Sequence, residues 1–426
     1  MIARSGLVSA VFLAALSTWA ALPGCGGTVT RTGETGGHAL AGASGTSPAG
    51  GGRGGAAAGG GGLAPGAGGG SSLGGGCSVD PNDDDMDRDG YKRDVDCNDF
   101  QNRVNPGAFD VPGNGVDDDC DGGIDNGPGV GCDDESDVIA LDAKEPEALG
   151  RAMGLCSRSL LNDPGRRWGI SSVELWSLDG PWTAGRDHVQ HAVQTTFGQF
   201  VPKQGRSMLM LTTGRARLAK QPGGVDGYPA LDSPYGEQLP NGFPENDPIC
   251  LAASSDPDIT AWNAIALSVR MRVPTNAARF KWSARAITPE SPTQMVCHGE
   301  NSLFAAFKER YTGSPFAQNF ARLPDGSLFS VDHLPWTYCD PETFTEGGRV
   351  YDFPCPAGSS MAASARPWWG AATDWQEFVV DVVAGQELEL TLIVWGHGSG
   401  GRGAFGVFLD DFQWIAGKPA DPLCSP

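Results

Sequence analysis

The chain has 426 residues, 63 of them glycine and 11 cysteine, with a formal net charge of −21, and this length accommodates two or three domains with at least one sizeable core. The charge is concentrated, because Cys77 to Asp137 holds 19 of the 51 acidic residues and only 4 of the 30 basic ones. That balance excludes nucleic acid as a partner, since such affinity rests on Lys and Arg against phosphate, and it makes divalent cations the natural counter-charge.

In chain order, residues 1–24 carry Arg4, an apolar run from Leu7 to Ala21, and Leu22-Pro23-Gly24 ahead of Cys25. A positive end, an apolar stretch of roughly 15 residues and small residues before the cut describe an export signal. The run is shorter than the roughly 20 residues of a permanent span. Leu-Pro-Gly-Cys resembles the bacterial lipobox, which implies cleavage before Cys25 and acylation of its thiol. A lipid-anchored protein of the bacterial outer membrane or cell surface is then expected, with plain secretion as the alternative. Residues 25–76 are almost entirely Gly, Ala, Ser, Thr and Pro. They predict a disordered tether with a reach on the order of 40 Å.

Setting Cys25 aside leaves an even set of cysteines in an exported chain, where disulfides persist. Cys77, Cys97, Cys120 and Cys132 fall within residues 77–132, and Cys156, Cys250, Cys297, Cys339, Cys355 and Cys424 lie beyond. Closed pairing within each group is possible, and the connectivity stays open.

Residues 77–132 contain two D-x-D-x-D-G frames, Asp85 to Gly90 and Asp117 to Gly122. Oxygen ligands at alternate positions with glycine at the sixth describe a loop that wraps one hard cation. Starting the first frame at Asp85 puts Gly90 at the turn and Asp96 at the twelfth position. Asp85, Asp87 and Asp89 then supply side-chain oxygens, Tyr91 a backbone carbonyl and Asp96 the closing carboxylate. The second frame offers Asp117, Asp119, Asp121 and a nearer closing Asp125. Either Cys97 or Cys120 in a disulfide would brace these ligands. The order D-x-D-G-Y, then Asp96-Cys-Asn-Asp99, then Val104-Asn-Pro-Gly-Ala108, then the Asp117 to Asp125 run resembles the MopE-type metal-binding repeat. That name suggests copper. Hard carboxylates instead select calcium, so Ca2+ is the expected ion and copper the alternative.

In residues 133–426, Leu149, Ala152, Met153 and Cys156 share a face at helical spacing, and Pro146 suits a first turn. The period then changes to that of strands with one buried face. Eight are predicted, at Ser207–Thr213, Ile265–Val273, Phe280–Ile287, Ser302–Phe307, Ser327–Val331, Phe378–Val383, Leu388–Trp395 and Ala404–Ile415. Gly- and Pro-rich connections between them favour an antiparallel, jelly-roll-like β-sandwich. His188 and His191 read as a loop pair, Gly396-His-Gly-Ser-Gly as a turn, and Asp410-Asp411 as loop-facing or metal-binding residues. No compact nucleophile motif occurs, and no catalytic residue is assigned.

Segments including Leu149–Cys156, Gly205–Leu211, Val273–Ala277 and Val407–Trp414 resemble the choice-of-anchor L domain. The resemblance implies a surface-displayed β-rich domain without an established reaction. The chain thus reads as a mainly β, calcium-binding surface lipoprotein whose sandwich contacts an unidentified protein or polysaccharide. The alternative is a secreted hydrolase acting on carbohydrate or peptide. Trp182, Trp336, Trp368 and Trp369 could stack on sugars in either case, and simple packing is the plainer reading.

Overall fold

The computed structural model describes residues 84–126, 140–143, 145–157, 165–178, 180–181, 188–198, 200–218, 221–222, 224, 231, 236–238, 260–288, 302–308, 319–339, 370–397 and 404–417. The export signal with Cys25, the tether, Cys77, Cys132, Cys250, Cys297, Cys355, Cys424 and Trp182, Trp368 and Trp369 lie outside them.

After an acidic module whose described residues form no helix or strand, helix α1 spans Pro146–Ala152. Strands β1 (Gly169–Ser177), β2 (Gly180–Pro181), β3 (His191–Gln194), β4 (Met208–Thr212) and β5 (Gly236–Gln238) follow. The long central strands are β6 (Thr260–Arg272) and β7 (Ala277–Thr288), followed by β8 (Leu303–Phe307), β9 (Phe329–Ser330), β10 (Thr337–Cys339) and β11 (Gly370–Ala372). The chain closes with β12 (Gln376–Asp381), β13 (Glu387–His397) and β14 (Gly406–Ala416). One sheet has the order β2-β1-β6-β13-β8-β9 with β5 on β6; the other has β10-β11-β7-β14-β4-β3 with β12 on β7. Among the described residues every strand pair is antiparallel. All eight predicted strands are present, in two facing sheets.

Alternation decides which side chains meet between the sheets. Ile265, Leu267, Val269 and Met271 of β6 and Leu388, Leu390, Leu392 and Val394 of β13 enter one core with Phe280, Trp282, Ala284 and Ala286 of β7. The expectation of a single buried face is corrected here. Ala264 and Ala266 of β6, with Ile393 and Trp395 of β13, are buried in a second cluster on the opposite face. Met208, Met210 and Phe408 form a third with Phe197 and Phe200. Small residues had disguised the outward positions of β6 as solvent-facing.

Two breaks in regularity bring the end of α1 against β14. Gly154, at φ +91°, ends the helical region, so Cys156 lies beyond the helical face predicted for it. In β14 the register shifts after Asp410, and Asp411 sits at φ +62°. Leu409 and Phe412 therefore both point inward despite their odd spacing, and the Phe412 amide donates to the Met153 carbonyl at 3.0 Å. Among the described residues no helix is long and apolar enough to cross a membrane.

Candidate metal centre

The two acidic frames fold as copies of one another. In the first loop the Gly90 amide donates to Asp85 Oδ2 at 3.0 Å, the Asp89 amide to Asp87 Oδ1 at 3.2 Å and the Tyr91 amide to Asp89 Oδ1 at 2.8 Å. In the second the Gly122 amide donates to Asp117 Oδ2 at 3.0 Å, the Asp121 amide to Asp119 Oδ1 at 3.2 Å and the Gly123 amide to Asp121 Oδ1 at 2.8 Å. The fourth position is left-handed in both, Arg88 at φ 63° and Cys120 at φ 58°, and the sixth is Gly90 at 96° and Gly122 at 94°. The sixth residue must be glycine because an L side chain is strained there. Each carboxylate thus spends one oxygen on the loop's own backbone, which turns the loop inward.

Two equivalences were not legible in the spacing. Asp99 Oδ1 accepts the amide of Met86 at 2.9 Å, and Asp110 Oδ1 accepts the amide of Asp118 at 2.7 Å, so each buttresses the second position of one loop. The fifth-position carboxylates are likewise each gripped by an asparagine amide. Asn105 Nδ2 donates to Asp89 Oδ2 at 2.7 Å, and Asn126 Nδ2 donates to Asp121 Oδ1 at 2.9 Å. The D-C-N-D and V-N-P-G-A segments carry two of these residues, which gave the only signal for them.

Carboxylate oxygens of Asp85, Asp87 and Asp89 lie within 4.8 Å of one another, as do those of Asp110, Asp117 and Asp119. Asp110 therefore joins the second group. The Asp125 carboxylate accepts the amides of Asn114 at 3.0 Å and Gly115 at 3.1 Å, holding the turn after Val111. Asp96 also lies within ligand distance of Cys97 and Cys120, but those two sulfurs form a disulfide and offer no thiolate. That bond ties the closing end of the first loop to the fourth position of the second. Cys156 is disulfide-bonded as well.

Asp87 and Asp96 are 4% and 6% exposed. Asp87 Oδ2 and Asp96 Oδ2 are buried without a hydrogen-bond partner. Burial, with the charge of neighbouring carboxylates, pushes Asp87 up to about 6 and Asp96 up to about 7. Burial and its neighbours likewise raise Asp119 to about 6. Carboxylates in this state hold protons, or they hold a cation. The donor set is all oxygen, which fits a hard ion held by several carboxylates.

The module is fastened to the sandwich through V-N-P-G-A. Val104 and Ala108 are buried, and Phe109 joins the core between the sheets, edge-on to Trp168 at 6.5 Å. Asn276 Nδ2 donates to the Phe109 carbonyl at 2.7 Å while the Phe109 amide donates to Asn276 Oδ1 at 3.1 Å. The Thr275 amide donates to the Gly107 carbonyl at 2.9 Å. Gly107 permits this approach, because a Cβ there would collide with the Tyr91 hydroxyl. That hydroxyl donates to the Arg166 carbonyl at 3.1 Å. Beside this junction lies a cleft of about 1180 Å³, lined by residues including Tyr91, Lys92, Asp121, Arg166 and Trp168.

Elsewhere the sequence expectations resolve into structure. His191 is not in a loop: it opens β3, is fully buried, and has Nε2 3.2 Å from the Ala143 carbonyl. Asp410 and Asp411 are buried on β14 and face the loop that carries Lys203 and Gln204. Asp410 Oδ2 accepts the amides of Lys203 at 2.6 Å and Gln204 at 3.0 Å, and Asp411 pairs with Lys203 Nζ at 2.9 Å. Lys203 Nζ also donates to Ser283 Oγ at 2.6 Å. That Ser–Lys contact resembles an activated nucleophile, but Ser283 is wholly buried, so the cluster latches residues 203–204 onto the sheet. Trp336 packs against the core, edge-on to Phe405 and donating to the Val331 carbonyl at 2.9 Å, which is the packing role.

Residues 96–126 match the family model for a metal-binding motif of the Cu-binding MopE type. The match starts at the closing Asp96 and spans the second loop. No curated protein matches this chain. Among solved structures, the chain is similar to the K1 cleaved adhesin domain of Lys-gingipain from Porphyromonas gingivalis W83, at 10% identity, covering 59% of this chain and 95% of that one, with a TM-score of 0.25. It is also similar to TmCBM61 in complex with β-1,4-galactotriose, at 11% identity, covering 61% and 100%, with a TM-score of 0.21. At such scores neither likeness carries a function across.

Proposed function

We propose that this protein is a calcium-loaded binding protein displayed at a bacterial surface, in which the acidic module takes up the cation and the sandwich makes the contact. The observation that carries the metal part is the pair of buried carboxylate oxygens without hydrogen-bond partners, Asp87 Oδ2 and Asp96 Oδ2, in an all-oxygen loop. Calcium is preferred over copper because the clustered ligands are hard carboxylates, and the thioether in the first loop, Met86, accepts from Arg93 Nη2 at 2.8 Å. An affinity on the order of 10⁻⁴ to 10⁻³ M suits an extracellular module. Display and adhesion rest on the lipobox-like Leu22 to Cys25, the Gly-rich tether and the choice-of-anchor L resemblance.

The test is titration of the chelator-stripped, folded protein with calcium and, separately, with copper, followed by calorimetry and thermal melting. Calcium is expected to bind and raise the melting temperature. Copper binding with no response to calcium would sink the assignment.

A further inference from the structure

We propose that Asn105 is a positioning residue that couples the cation in the first loop to the seat of the module on the sandwich. The inference rests on the calcium reading above and adds to it a partner surface within the same chain. Asn105 is 0% exposed and every polar group of its side chain is engaged. Nδ2 donates to Asp89 Oδ2 at 2.7 Å, and so holds the one oxygen of that carboxylate not already held by the Tyr91 amide. Oδ1 accepts the Gly107 amide at 2.9 Å and the Thr275 hydroxyl at 2.8 Å. Its backbone amide donates to the Asp118 carbonyl at 2.9 Å, reaching the second loop. One buried side chain therefore spans the ion-facing carboxylate and the turn between β6 and β7.

The coupling follows from what each end needs. An amide keeps its donor and acceptor ends fixed relative to one another, so orienting Nδ2 toward Asp89 sets Oδ1 toward Thr275. A cation that draws Asp85, Asp87 and Asp89 together fixes Asp89, and through Asn105 it fixes the Gly107–Thr275 contact. Without the cation, mutual repulsion spreads the carboxylates and loosens that grip. Linkage makes the effect reciprocal, so a module seated on the sandwich binds the ion more tightly than one that is loosened.

The experiment compares the wild-type chain with Asn105→Ala and Thr275→Val, using calcium alone as the probe. Calorimetry reads affinity, and hydrogen exchange reads the Thr275 amide, which donates to Gly107. In the wild type, calcium should slow exchange at Thr275. Asn105→Ala should weaken calcium binding about tenfold, equivalent to about 1.4 kcal/mol, and abolish the calcium-dependent protection. Thr275→Val leaves Asn105 in place and should weaken binding about threefold, which keeps the test open if Asn105→Ala fails to fold. Calcium binding with Thr275 exchange unchanged, or variants with lowered melting temperature but wild-type affinity and protection, would overturn the coupling alone. A wild type that takes up no calcium would overturn the calcium reading and the coupling with it.

Discussion

The acidic module and the sandwich solve the problem of staying folded in opposite ways. The sandwich buries aromatic and aliphatic side chains throughout, with Trp282 stacked on Phe280 at 5.2 Å and on Phe378 at 5.3 Å. Among the described residues of the module the buried apolar ones are Tyr91, Val104, Ala108 and Phe109, while Asp87, Asp96, Asp99, Asn105, Asp110 and Asp118 are buried beside them. At about 1.5–3 kcal/mol for each large apolar side chain, this cannot offset about 1–2 kcal/mol of backbone entropy for every residue ordered. The module must therefore draw its stability from a cross-link, an ion and the sandwich itself. Each support can be removed separately, so the contrast is testable.

The largest effect is expected in the sandwich. Trp282→Ala removes a side chain with no exposure, stacked against three rings. It should cost about 3–5 kcal/mol, and the loss should be the same with calcium or chelator. A calcium-dependent loss would show that the two regions do not have separate sources of stability.

Next in size is the Cys97–Cys120 disulfide, which closes a loop with a sequence separation of 23. By loop-closure entropy such a bond contributes about 3 kcal/mol. Replacing both cysteines by serine should weaken calcium binding and speed hydrogen exchange across residues 96–120, while exchange in β6 and β13 stays at wild-type rates. Uniform acceleration in both regions would mean that the module and sandwich unfold as one.

The sandwich was legible because its strands are long and alternate. The eight segments read from period two are all strands, and those missed are mostly short, such as β2, β5, β10 and β11, or sit beside uninformative loops. β1 was hidden because Ser171 and Ser172 interrupt its alternation and its register slips between Ile170 and Ser172. In the module, the D-x-D-x-D-G frames announce their own turn, since glycine and alternate carboxylates are local requirements. What they do not announce is long-range: Asp99 and Asp110 as buttresses, or Asn105 reaching Thr275. The left-handed Asp411 was equally hidden, because nothing in Leu-Asp-Asp-Phe states that the strand shifts its register there.

The smallest of these effects separates the regions by proton rather than by mutation. Without a cation, Asp87 and Asp119 titrate near 6 and Asp96 near 7, and in the sandwich burial outweighs three backbone amides to bring Asp410 to about 7. An unfolded Asp titrates near 3.9. Between about pH 4 and 7 the folded chain thus holds more protons than the unfolded one, and stability must fall as pH rises through that window. The raised values favour the fold below the window and oppose it above. A bound cation stabilises the deprotonated module and releases those protons, whereas Asp410 answers to burial and to the backbone amides of Gln204, Asp411 and Lys203. Melting temperatures at pH 5 and pH 7.5 should therefore drop steeply in chelator and less steeply in millimolar calcium, with Asp410 supplying the remainder. Parallel drops in the two media would mean that the buried carboxylates of the first loop are not where the ion sits.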